Sequence, residues 1–161
     1  MKHFLEFSLL VLIVLLMACN NTTSDKMIEQ KTEPAFPKGE KITNNNFTGT
    51  VWLKNLIEAD SINQNSVACV TFEPGARSNW HLHPSGQILL AISGIGYYQE
   101  KGSPKIILHK GDVVKCPPNI QHWHGAGPDQ EFVQVAITSR QGGPTEWLQP
   151  VTDEEYNQSA K

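Results

Sequence analysis

The sequence predicts an all-β domain, folded as a sandwich or a barrel. Short runs of β-branched and aromatic residues recur along the chain and are separated by Gly, Pro and Asn. No long helical periodicity precedes the C-terminus, where Thr152 followed by Glu155 fits a capping box and predicts a short helix over Asp153–Gln158. The predicted strands are Thr50–Ile57, Ser66–Phe72, Asn79–His83, Gln87–Ser93, Gly96–Lys101, Lys105–His109, Asp112–Cys116, Gln121–Gly125 and Phe132–Ser139.

Alternation within these strands indicates which side chains face the interior. In the strand Gln87–Ser93, Leu89 and Ala91 share a face with Gln87, because successive side chains of a strand point to opposite sides. The same alternation predicts that two polar residues of the last strand, Gln134 and Thr138, face the interior among apolar neighbours. The residues predicted to line a pocket are Ala68, Val70, Gln134 and Thr138.

The first 46 residues differ in composition from the rest. Phe7–Met17 is a nearly unbroken apolar run, too short to span a bilayer as a permanent helix. It ends in Leu16-Met17-Ala18-Cys19, which resembles a bacterial lipobox. The resemblance implies a lipoprotein signal peptide at 1–18, lipid on Cys19 and export to a bacterial cell envelope. The alternatives are an ordinary secretory signal or a buried apolar segment.

The following segment, 19–46, is polar and interrupted by prolines and a glycine, so it is predicted to be a flexible tether. The folded domain is predicted over 47–161, with membrane contact through the lipid alone. The net charge of −3 and the absence of a basic run after the tether argue against nucleic acid as a partner.

The lipid anchor gives the first testable prediction. Cys19→Ser should yield soluble or uncleaved protein, because no thiol remains to carry the lipid. Detergent partitioning and mass spectrometry of the mature N-terminus would measure this. Wild-type protein found free of the membrane with an unmodified Cys19 would contradict it.

Two further cysteines, Cys69 and Cys116, lie in apolar strand-like runs and are interpreted as small core residues, with a disulfide as the alternative. The chain has no C-x-x-C motif, so a thiolate zinc site is not expected.

Two histidine clusters predict a metal site. His81 and His83 are two residues apart on one predicted strand and therefore point to the same face. Gln87 follows the next turn, and His122 comes from a distant strand. Together these side chains could surround one cation. Imidazole and amide oxygen suit a divalent metal such as Mn, Fe, Ni or Zn.

Both clusters resemble the two motifs of the cupin superfamily. The first motif reads Gly75-ARSNW-His81-Leu82-His83-PSG-Gln87-ILLAIS-Gly94, with Gln87 in place of the usual glutamate. The second begins at Gly111 and supplies His122. The resemblance implies a double-stranded β-helix, or jelly-roll, barrel with a metal inside its mouth. It also implies a homodimer or homotetramer.

The segments VTFEPGARSNWHLHPSGQ and HWHGAGP further resemble the small bacterial cupins that include manganese-dependent hydroxynitrile lyases and cupins associated with carboxymuconolactone decarboxylase. That resemblance implies one manganese ion per chain, held by His81, His83, Gln87 and His122, and an active-site role for His124. A further family histidine, ten residues beyond, is replaced here by Gln134.

The ligand types have a chemical consequence. Three neutral imidazoles and a neutral amide leave the full charge on a dipositive ion, which favours anionic guests. His124 shares a strand face with His122, and a neutral imidazole beside a dication is a plausible base. The alternative is that His124 only orients a ligand or bonds within the barrel.

The resulting prediction is a metal-dependent carbon–carbon lyase acting on a small hydroxyl or carbonyl substrate. The alternatives are an iron-dependent dioxygenase and a metal-dependent binding module without turnover. Other candidate residues have simpler interpretations. Trp80 and Trp123 are predicted to pack in the core, Arg77 to form a surface salt bridge and His109 to lie exposed in a turn.

Overall fold

The computed structural model describes residues 34–160, which form two antiparallel sheets curled into a jelly-roll barrel. The first sheet runs in the spatial order β1 (Glu40–Lys41), β3 (Val51–Ile57), β4 (Asn65–Phe72), β12 (Phe132–Ser139), β7 (Gln87–Ser93) and β10 (Val113–Cys116). The second contains β13 (Glu146–Trp147), β6 (His81–Leu82), β11 (His122–Ala126), β5 (Arg77–Ser78), β2 (Phe47–Thr48), β8 (Ile95–Glu100) and β9 (Ile106–His109).

Most predicted strands are present with ends shifted by a residue or so, and Gln87–Ser93 and Phe132–Ser139 have the predicted bounds. In place of the predicted strand Asn79–His83, the structure has two short strands, β5 and β6, separated by Asn79 and Trp80. The backbone leaves the ladder between them, because Trp80 N–H donates to the Gln149 carbonyl and Asn79 N–H to the Asn46 carbonyl. Strands β5 and β6 pair with one side of β11, and β8 pairs with the other.

A short strand is present within the segment predicted to be a tether. Strand β1 lies within the predicted tether and pairs with β3, Glu40 opposite Leu53. The predicted signal peptide and Cys19 lie outside the described residues. Within residues 34–160, no helix has the length and apolar character needed to cross a membrane.

A hydrophobic core fills the space between the sheets. Its largest members include Phe72 and Phe132, both 0% exposed, together with Leu89 and Tyr98. Cys69 and Cys116 are buried, and neither forms a disulfide in the part of the chain described, which confirms their interpretation as small core residues.

A second cluster lies on the other side of the β11 strand. Trp80, Trp123, Val151 and Tyr156 pack together there, as predicted for the two tryptophans. The helix α1 (Asp153–Tyr156) closes this cluster and begins with the predicted capping box between Thr152 and Glu155. It ends two residues before the predicted Gln158.

One tight turn connects β7 to β8 at Gly94, whose φ is +77°. A Cβ there would lie 1.8 Å from the Glu131 carbonyl oxygen. Gly94→Ala should therefore lower the free energy of unfolding by about 2–5 kcal/mol, combining left-handed strain with steric overlap.

Urea unfolding would measure that loss, with Gly102→Ala as the matched control. Gly102 has a φ of +82° but no atom within 4 Å of a built Cβ, so only the conformational cost remains. Equal losses in the two variants would contradict the steric argument.

Candidate metal centre

Strand pairing brings the two histidine clusters together. His122 on β11 lies directly opposite His81 on β6, and His83 follows immediately after β6. One ligand nitrogen from each of these three histidines lies within 4.8 Å of the other two, and all three side chains are buried. This trio can hold one metal ion, as the spacing predicts.

The backbone fixes which nitrogen of each ring is available. His81 Nδ1 lies 2.9 Å from the Asn79 carbonyl, and His122 Nδ1 lies 2.9 Å from the Ile120 carbonyl. Since a carbonyl oxygen only accepts, each Nδ1 carries the proton and donates it. Each Nε2 is left with a lone pair directed at the shared site, which is the tautomer that a metal ligand requires.

His83 is oriented by a side chain instead. Its Nδ1 lies 3.1 Å from Thr145 Oγ1, and that hydroxyl also accepts a hydrogen bond of 3.0 Å from Arg140 Nη1. The arginine and the hydroxyl therefore form a chain to His83 Nδ1, and the other ring nitrogen, Nε2, is left without a partner among the described residues.

Gln87 faces the same centre. Its amide nitrogen donates to Thr138 Oγ1 over 2.8 Å, which leaves the amide oxygen available. Three buried atoms here have no hydrogen-bond partner among the described residues: His83 Nε2, His122 Nε2 and Gln87 Oε1. An unpaired buried polar atom costs about 1–3 kcal/mol, so their convergence suits a cation.

The protonation states suit a cation as well. Burial is the main cause that holds the pKa of His81 and His122 below the usual imidazole value. Burial, followed by the proximity of His122 and Arg140, lowers the pKa of His83 to about 3. All three rings are therefore neutral near pH 7, as ligation requires.

His124 lies beside the trio, its ring centroid 5.1 Å from that of His81 and 6.1 Å from that of His122. Burial, and then the neighbouring His122, lowers its pKa well below the usual value. Gln134 Nε2 lies 3.0 Å from His124 Nδ1. If the Gln134 amide nitrogen donates to His124 Nδ1, the proton of the imidazole is on His124 Nε2. If the Gln134 amide oxygen accepts from His124 Nδ1–H, His124 Nε2 is unprotonated and can act as a base.

A cavity of about 420 Å³ opens onto this centre. Of the predicted pocket residues, Ala68, Val70 and Thr138 line it. Gln134 does not: it is 0% exposed and reaches the cavity only through His124, which does line the wall. Several residues at the mouth were not predicted from the sequence. They are Phe47, Glu58, Arg140, Thr145 and Trp147.

Arg77 takes no part in the cavity. The surface salt bridge expected for it is wrong in one respect: the guanidinium is buried, although its partner Asp153 is exposed, with 2.6 Å between Nη2 and Oδ1. Arg77 also donates to the Val151 carbonyl, which fastens the C-terminal segment to β5. His109 is exposed, as predicted, but it is the last residue of strand β9 and does not lie in the turn.

Comparisons with known proteins agree with this geometry. Residues 68–137, which carry both histidine clusters, match the model of the cupin domain. An (R)-mandelonitrile lyase from Granulicella tundricola is 44% identical over 111 residues, covering 68% of this chain and 85% of that protein.

The chain belongs to the cupin family.

Solved structures support the assignment. A cupin-like protein from Thermotoga maritima superposes with a TM-score of 0.77 at 48% identity, covering 80% of this chain and 98% of its own. A dimethylsulfoniopropionate (DMSP) lyase from Ruegeria pomeroyi has a TM-score of 0.55 at 19% identity, which shows the shared cupin fold alone. These similarities confirm the predicted jelly-roll fold and the predicted resemblance to small cupins of the hydroxynitrile lyase type.

Proposed function

We propose that this cupin is a divalent-metal-dependent carbon–carbon lyase acting on a small molecule through its hydroxyl or carbonyl oxygen. The observation that carries the proposal is the buried trio His81, His83 and His122, whose ligand atoms lie within 4.8 Å of one another, together with the unpaired Gln87 Oε1. His81, His83, Gln87 and His124 line a cavity of substrate size. The identity to a mandelonitrile lyase supports the reaction class.

The metal would be held by His81, His83, Gln87 and His122, one ion per chain. Manganese is the preferred candidate, and iron, nickel or zinc would also fit imidazole and amide donors. When bound, such an ion supplies Lewis acidity to a substrate oxygen. Thr138 and Thr145 keep the amide oxygen and the His83 nitrogen directed at it.

His124 would move the proton. In cyanohydrin cleavage, the hydroxyl loses its proton, the carbon–carbon bond breaks and its electron pair departs with the nitrile carbon as cyanide, leaving a carbonyl. His124 Nε2 would accept that proton in the tautomer in which His124 Nδ1–H donates to the amide oxygen of Gln134. Ala68, Val70 and Ala136 provide an apolar wall of the same cavity.

The experiment that tests the proposal combines metal analysis of the purified protein with a screen of hydroxynitriles, enolisable acids and catechols. Stoichiometric metal with carbonyl release from a hydroxynitrile or decarboxylation of an acid is the expected result. Oxygen consumption with a catechol would indicate the dioxygenase. Tight ligand binding without turnover would indicate a binding module.

The location of the protein in the cell envelope is also a proposal. We infer that lipid on Cys19 holds the cupin domain at a bacterial membrane, and that the domain assembles as a homodimer or homotetramer. Size-exclusion chromatography with light scattering would measure the assembly, and a monomer at micromolar concentration would reject it.

A further inference from the structure

We propose that Arg140 makes the cavity selective for anionic substrates, namely small carboxylic acids that also carry the reacting hydroxyl or carbonyl oxygen. The inference rests on the proposed function and names its substrate class. It assigns Arg140 as a specificity-determining residue at the mouth of the metal centre.

The position of Arg140 is the first argument. It follows directly after β12 and lines the same cavity as His83, Gln87 and His124. A single hydroxyl, Thr145 Oγ1, separates its guanidinium from the ligand His83, with 3.0 Å on one side and 3.1 Å on the other. A molecule bound in this cavity would therefore lie close to the positive charge of Arg140.

Second, the Arg140 guanidinium is held in place by hydrogen bonds, but no carboxylate of the described residues neutralises its charge. Its Nε donates to Ser66 Oγ over 3.1 Å and its Nη1 to Thr145, so both neutral anchors fix its direction. Among residues 34–160, no carboxylate forms an ion pair with it. Arginine has five N–H donors in a planar fork, so donors remain for a carboxylate.

The charge of the whole cavity is the third argument. The proposed ligands are all neutral, and they leave the charge of a divalent ion uncancelled. Arg140 adds a further positive charge. One carboxylate, Glu58, also lines the described cavity. Glu58 and Arg140 are both exposed, so solvent and salt screen their opposite charges alike, and the charge of the divalent ion remains in excess. The net potential therefore favours an anion over a neutral molecule of the same shape.

The test compares hydroxy acids with their neutral amides. Calorimetry on metal-loaded full-length protein would measure the affinities of glycolate, 3-hydroxypropanoate and 4-hydroxybutanoate and of the matching amides. In the wild type, at least one acid should bind about tenfold tighter than its amide, the usual worth of a charge-assisted hydrogen bond. No binding by any acid, or equal binding by acid and amide, would overturn the proposal.

Variants locate the effect. Arg140→Gln should reduce the acid-to-amide affinity ratio about five- to tenfold, while Arg140→Lys should keep part of it because the charge remains. Lys54→Gln is the matched control, since this exposed lysine of β3, in the same sheet, does not line the cavity. It should leave the ratio unchanged, and an equal drop in this control would overturn the local role of Arg140.

Two outcomes separate this inference from the proposed function. If Arg140→Gln weakens acid and amide equally, the arginine only positions His83 through Thr145, and the anion proposal is wrong although the metal centre stands. If the wild type contains and binds no metal, the proposed function fails at its first step, which elemental analysis shows independently of any acid.

Discussion

Replacing His81 and His83 together with alanine should abolish stoichiometric metal binding. These residues supply two of the four proposed ligands, and removing both leaves Gln87 and His122, which cannot enclose an ion. Metal content after exhaustive dialysis, measured by elemental analysis, would check the expectation. Retention of one ion per chain in the double variant would reject the ligand assignment.

The same variant should still fold. His81 lies in a paired strand. The backbone at His83 is held because its carbonyl accepts hydrogen bonds from the N–H groups of Gly86 and Asn119. The apolar core around Phe72 and Phe132 lies between the sheets and contains neither replaced ring. Metal-free wild type and double variant should therefore melt at similar temperatures. Added metal should raise the melting temperature of the wild type alone, because a ligand stabilises the state that binds it.

The exposed His109 provides the matched control. His109→Ala removes an imidazole from the end of β9, away from the cavity, and should leave the metal content at the wild-type level. Loss of metal in that control would mean that the ion is held adventitiously by histidine.

Replacing His124 with alanine should have a different effect, leaving most of the metal in place and lowering lyase turnover about 10²–10⁴-fold. His124 lines the cavity and is bonded to Gln134, but it is not in the ligand trio. Parallel measurement of metal content and turnover separates the two roles.

His124→Gln is the companion variant. A glutamine is close to histidine in size and still bonds to Gln134, yet it cannot transfer a proton at neutral pH. It should therefore be as inactive as the alanine variant. Full activity in either variant would show that His124 has only a structural role. Loss of metal from the alanine variant would indicate that His124, and not Gln87, is a metal ligand.

Sequence periodicity predicted the site well where the chemistry lies on long, regular strands. The inward faces of β7 and β12 follow from strict alternation, which placed Gln87 and Thr138 on one surface, and the structure joins them by a hydrogen bond. Alternation indicates which face of a strand a side chain lies on, but not how deeply that side chain is buried. A register shift between Val133 and Gln134 accompanies the burial of Gln134 behind His124, where it no longer reaches the cavity.

The short elements were missed for a related reason. Strands β1, β2 and β13 have two residues each, which is too few for any periodic signal. The mouth of the cavity depends on such segments. Thr145 and Trp147 reach the centre only because β13 pairs with β6, a contact between distant parts of the chain that no local pattern encodes.

Trp147 gives the metal centre an intrinsic fluorescence signal. Its ring centroid lies 4.9 Å from that of His81, it packs edge-on against Phe47, and it remains 37% exposed at the mouth. The other three tryptophans do not line the cavity. A paramagnetic ion bound by His81 would quench emission from Trp147 more strongly than from the others, and a substrate excluding water from the mouth would shift that emission to shorter wavelength.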